Sequence, residues 1–118
     1  MQLKYLPSQF PDYDLTTLPP IPADWKDTSW RNDISPSFDA LGSDDPDDGD
    51  RLRVWVDYAD PARREFPETK RNGVYLRTAA DETDYMIESD DWSEILAGVA
   101  FMRRAWPQVK ANGYPDGY

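Results

Sequence analysis

Chemistry in this chain has to come from carboxylates, amines, guanidinium groups, hydroxyls and aromatic rings. Of its 118 residues 23 are Asp or Glu and 13 are Lys or Arg, with no histidine and no cysteine. Without thiols there is no disulfide, thiolate nucleophile, zinc ribbon or iron–sulfur cluster, and without imidazole there is no Ser-His-Asp or Cys-His relay. The densest set of ligating side chains is Asp44, Asp45, Asp47, Asp48 and Asp50, hard oxygen donors of the kind that collect Ca²⁺ or Mg²⁺. Their spacing argues against a metal. With Gly49 as the sixth position of an EF-hand loop, Asp44 is first and Asp48 fifth, but Pro46 falls third, Leu52 ninth, and Trp55 stands where a bidentate Glu belongs. Neither a metal nor another cofactor is expected.

Catalysis has little to work with. There is no G-x-G-x-x-G, no Walker A Gly-Lys-Ser/Thr, no G-x-S-x-G and no H-E-x-x-H. Asp57 and Glu88 could share acid and base work across a sheet, but carboxylate pairs arise by chance in a chain this acidic. The expectation is a protein that is not an enzyme, with a structural homodimeric accessory subunit and a small carboxylate-dependent enzyme as the alternatives.

What remains is recognition. The net charge is −10, and it is uneven: residues 1–50 hold eleven acids against three bases, a net −8, while residues 51–118 are nearly balanced at −2. Asp44, Asp45, Asp47, Asp48 and Asp50, with Asp81, Glu82 and Asp84 and then Glu88, Asp90 and Asp91, can present carboxylates in rows. Duplex DNA carries one negative charge per ~1.7 Å of axis, so such rows suit the basic groove of a nucleic-acid-binding protein. This predicts an acidic interaction module that binds a basic protein partner, in its sharpest form a mimic of nucleic acid that inhibits such a partner, as small phage or mobile-element proteins do; that comparison rests on charge and size alone. Direct nucleic-acid binding is not expected. Arg51, Arg53, Arg63, Arg64, Lys70, Arg71 and Arg77 form a local basic group beside Trp55, Tyr58 and Tyr75, but the overall field repels a polyanion.

Five tryptophans sharpen the picture. Trp30, Trp92 and Trp106 fall on apolar faces and read as core, whereas Trp25 and Trp55 lie beside polar neighbours. Trp is enriched at interface anchors, so one of these two marks a partner site, with Trp55 the candidate contact, set against cover of its ring by the strap or cross-strand packing.

The elements that must position these residues follow from periodicity. Residues 1–41 carry Pro7, Pro11, Pro19, Pro20 and Pro22 between aromatic and aliphatic side chains, predicting a proline-rich extended strap pinned across a core, with an edge strand where Trp30, Ile34 and Phe38 fall on one face. Residues 42–50 hold only Gly, Ser, Asp and Pro and read as a solvated acidic loop. Within residues 51–88, Leu52, Val54, Val56 and Tyr58 alternate with Arg53, Trp55 and Asp57, and two further alternating runs start at Val74 and Tyr85, predicting antiparallel strands with Asn72-Gly73 closing a charged loop. Residues 89–106 read as a helix capped by Ser89 or Asp90 and stopped by Pro107, its apolar run from Ile95 to Met102 buried on more than one side, against the sheet and under the strap or a second subunit of a homodimer. Residues 107–118 read as a fraying tail. The expected fold is a single α+β domain over 1–118, with three to four antiparallel strands packed by one C-terminal helix. No run approaches the ~20 apolar residues of a membrane span and Met1 to Pro7 holds no signal core, so a cytoplasmic address without membrane contact is expected.

Overall fold

The computed structural model describes residues 3–40, 51–77 and 83–112. It is an α+β fold with a five-stranded antiparallel sheet and one C-terminal helix. The strands β1 (Lys26–Asp27), β2 (Ser37–Asp39), β3 (Arg51–Val56), β4 (Asn72–Arg77) and β5 (Thr83–Ser89) are neighbours in chain order, a plain meander. The strand beyond the expected three to four is β1, whose two residues are too short to leave an alternation in the sequence.

Register fixes two faces. On the inner face Phe38 pairs with Val54, Val54 with Val74 and Val74 with Ile87, with Leu52 and Val56 on either side of Val54. All of these except Ile87, which is half-buried, are buried. The helix Trp92–Asn112, α2 in chain order, lies over β4 and β5 through Ile95, Val99 and Met102. Gly98 lets it come close: a Cβ there would stand 2.6 Å from Ile87 Cδ1.

The N-terminal segment closes the same core with Leu6, Phe10, Tyr13 and Trp25. It is not extended throughout, because α1 (Leu6–Gln9) and a 3₁₀ turn at Leu15–Thr17 interrupt it. Proline is compatible with a first helical turn, where its missing amide has no helical partner anyway. Asp27 anchors this segment to the sheet edge: buried, its Oδ2 accepts the Tyr5 and Leu6 amides at 2.8 and 2.7 Å and its Oδ1 the Ser29 amide at 2.9 Å. Trp25 packs edge-on against Trp92 at 5.8 Å, so its polar neighbours mark a chain crossing and not a surface anchor.

Four further expectations are corrected. The strand through Trp30, Ile34 and Phe38 shrinks to β2, leaving Trp30 54% and Ile34 46% exposed, since a turn occupies residues 31–35 and Pro36 cannot donate to a ladder. Asn72 and Gly73 open β4 instead of closing a loop; Asn72 pairs with Val56 and Ser89. The helix cap is Asp91, whose Oδ1 accepts the Ser93 amide at 2.9 Å, while Ser89 Oγ takes the Asp91 amide and donates to Glu94. Helix α2 runs through Pro107 to Asn112, because an interior proline costs one backbone bond and crowds one carbonyl without removing the bonds on either side. In its apolar run Ala97 and Ala100 are exposed in the single chain, and alanine costs little there.

Candidate functional site

The inner face of the sheet is covered; the outer face carries a groove. Along β3 the residues between the core positions are Arg53 and Trp55, along β4 Gly73 and Tyr75, and along β5 Met86 and Glu88. Register sets them in two rows. Trp55 pairs with Gly73 and Gly73 with Glu88; one row over, Arg53 pairs with Tyr75 and Tyr75 with Met86. Gly73 therefore leaves a gap between the indole of Trp55 and the carboxylate of Glu88, and this gap is the floor of a groove of about 390 Å³.

No local requirement explains this glycine. Its φ lies outside the left-handed region, and a Cβ there would find only the Ile87 carbonyl, at 3.9 Å, in ordinary contact. An aromatic ring directly across a sheet commonly folds over a glycine to cover it, but no Trp55 atom comes within 4 Å of that Cβ position. The indole leans along the sheet, stacking on Tyr75 at 6.1 Å with 23° between the planes, and the Arg53 guanidinium lies 5.8 Å from its centroid. Cross-strand packing and surface presentation of Trp55 coexist: the ring is half-buried and lines the groove.

The groove walls come from outside the sheet. Phe66, 50% exposed, stands on the loop between β3 and β4, and Ile34 on the turn before β2. Arg64 fixes that loop by donating to three carbonyls, Tyr58 at 2.7 Å, Thr69 at 3.1 Å and Ala59 at 3.2 Å. Arg71 fixes its far end: Nε donates to the Asp57 carbonyl, and its terminal nitrogen donates to Tyr13 Oη and to the Thr17 carbonyl. Arg64 is spent on backbone carbonyls and Arg71 on two carbonyls and the Tyr13 hydroxyl, which makes the wall a built surface. Met86, 59% exposed, completes the far side.

Two carboxylates line this apolar space. Asp57, 6% exposed, follows β3 and accepts the Tyr58 amide at 2.8 Å; burial pushes its carboxyl above the usual range, against the pull of that hydrogen bond and of Arg64 and Arg71. Glu88 is exposed at the rim. The lining also holds two cations, Arg71, bonded as above, and Lys70, which pairs with Asp90 at 3.7 Å.

Of the sequence candidates, Trp55 is the one the groove contains. Asp44, Asp45, Asp47, Asp48, Asp50, Asp81 and Glu82 lie outside the described residues. Asp84 falls on β5 at the register shift opposite Leu76/Arg77, between the paired residues Thr83 and Tyr85, and its side chain is outside the described set. Among the described residues no group of three or more acids is arranged to hold a metal, and no helix is long and apolar enough to cross a membrane. Sequence reasoning passed over Gly73, Phe66 and Met86. The available signal was a tryptophan on the polar face of a strand combined with a glycine at a strand's second residue, but pairing the two required the register.

A second cleft, about 250 Å³, is formed by Asp12, Asp14, Tyr58, Asp60 and Arg63. Asp12 accepts from Tyr58 Oη at 3.0 Å and from Arg63 at 2.9 Å. Burial and the neighbouring Asp12 carboxylate push the Tyr58 hydroxyl up to about 12, with Arg63 pulling the other way. Asp12, Tyr58 and Arg63 satisfy one another and pin the N-terminal segment to the chain just after β3, while Asp14 and Asp60 accept from Thr16 and the Ala62 amide in their own turns. Comparison with protein families, curated proteins and solved structures finds no match to this chain.

Proposed function

We propose that the protein is a non-catalytic interaction module that docks a basic partner protein on the outer face of its sheet. The observation that carries this reading is the gap over Gly73, a strand glycine with no backbone or packing requirement, walled by Trp55, Tyr75, Phe66 and Met86. A glycine in a strand costs roughly 0.5–1 kcal/mol relative to alanine, and close approach of another molecule is one of the few things that makes it useful there. Exposed apolar grooves rimmed by charge mark interaction sites. A net charge of −10 directs cationic partners toward the surface and repels nucleic acid. In the sharper form of this reading, the acid-rich sequence of residues 44–50 with Asp81, Glu82 and Asp84 imitates phosphate charge and competes for a nucleic-acid-binding protein, inhibiting it.

Capture from extracts of the native host, washed at stepped salt, tests it. Capture that weakens from low to high salt, and is lost in Trp55→Ala and Gly73→Val proteins that remain folded, is the expected result. Capture indifferent to both substitutions overturns the groove as the docking surface; capture unchanged by salt overturns charge guidance.

A further inference from the structure

We infer that the groove over Gly73 receives the side chain of an arginine, which the docking partner supplies. This deepens the reading above and rests on it. The argument is one of chemical complement. The walls offer aromatic faces, Trp55, Tyr75 and Phe66, which attract a cation through the ring quadrupole and stack best on a planar, weakly hydrated guanidinium. Among the charged groups that line the groove, those left to meet a ligand are negative. Glu88 lies at the rim beside the gap and Asp57 at the buried end, whereas the Arg71 guanidinium is spent on Tyr13 and Thr17, and the Lys70 ammonium faces Asp90. The chain already shows the contact in cis, with the Arg53 guanidinium against Trp55 at 5.8 Å. A volume of about 390 Å³ is at the small end for ligand pockets, which suits one extended side chain and not a folded cofactor. Charge complementarity between a −10 chain and a cationic residue sets the same sign at long range.

The test uses the full-length protein and N-acetyl-arginine amide as probe, followed by amide and indole NMR. Saturable shifts at the Gly73 amide and the Trp55 indole N–H are expected, with n-butylammonium binding more weakly and the neutral isostere propylurea giving no saturable shift. Glu88→Gln weakens binding about fivefold, the scale of one partly exposed charge contact. Gly73→Val fills the gap and abolishes the shifts at Trp55 while leaving the melting temperature at or above that of the natural chain, because its Cβ meets no clash. Absence of saturable shifts in the natural protein, equal response to propylurea, or full binding by Gly73→Val overturns the arginine assignment. So does saturation by a short oligothymidylate at the same signals, which assigns the ring faces to base stacking. If Gly73→Val also leaves partner capture intact, the docking reading falls with it; if Gly73→Val blocks capture but the arginine probe never binds, only the occupant is wrong.

Discussion

Helix α2 rests on β5 where Gly98 meets Ile87, and that contact converts into a double-mutant cycle. A Cβ at residue 98 would stand 2.6 Å from Ile87 Cδ1 and 3.9 Å from its Cγ1, whereas carbon atoms pack best at ~3.5–4.0 Å. Gly98→Ala thus gains about 1 kcal/mol of helix propensity and loses about 1–3 kcal/mol by forcing Cδ1 out of its rotamer or the helix off the sheet. The net is expected between neutral and about 2 kcal/mol destabilising. Ile87→Val removes Cδ1 alone and costs about 0.5–1.5 kcal/mol by itself. In the double variant the new methyl occupies the space Cδ1 vacated, the remaining contact is the comfortable one at 3.9 Å, and the helix keeps its propensity gain. The pair should then be more stable than the sum of its singles predicts, with a coupling of about 1–2 kcal/mol. Urea unfolding of all four proteins at 25 °C reads it directly. Additivity within about 0.5 kcal/mol, or a Gly98→Ala protein stabilised by the full ~1 kcal/mol, would refute the close approach as the reason for this glycine. The contact matters beyond stability because Ile87 lies between Met86 and Glu88, and the seating of the helix sets how β5 presents them to the groove.

Three other outcomes follow from the polar contacts. Asp27→Asn removes the charge behind three amide hydrogen bonds and places an NH₂ against at least one donor; a loss of about 2–3 kcal/mol is expected, a fall in melting temperature of about 10 °C. Asp57→Asn keeps an oxygen for the Tyr58 amide but sheds a buried charge. Because burial raises the Asp57 carboxyl above its unfolded value, ionisation costs stability above the folded pKa; the variant should gain stability at neutral pH, and the difference should close as pH falls through the folded value toward the unfolded one, as followed by urea midpoints against pH. Tyr58, pushed up to about 12 from 10 in the unfolded chain, contributes stability that is intact below pH ~10 and lost as pH rises from there toward the folded value. Tyr58→Phe should lessen that alkaline decline, and an absorbance titration of the natural protein should show late tyrosine ionisation to which Tyr13, also raised by burial, contributes, with the Tyr58 share missing in the variant.

The sequence by itself determined the α+β class, the C-terminal helix and the long central strand, because each rests on a local period: Leu52, Val54 and Val56 alternate, and Ile95, Val99 and Met102 recur at helical spacing. It also determined the uneven charge and the absence of thiol and imidazole chemistry, which are facts of composition. Elements without a period escaped it. Two-residue β1 has no alternation, Trp30 shared a face only if a strand ran through Pro36, and Asn72-Gly73 carries the same dipeptide as a hairpin turn while pairing on both sides as the start of β4. The groove lay further out of reach. Trp55 stood out as an aromatic on a polar face, but its meaning depends on Gly73 lying opposite it, on Glu88 lying beyond Gly73, and on Phe66 arriving from a loop that Arg64 holds by three carbonyls. Register, and side-chain bonds to distant backbone, are long-range quantities that no window of sequence contains. They turn one glycine from a turn residue into the floor of a groove.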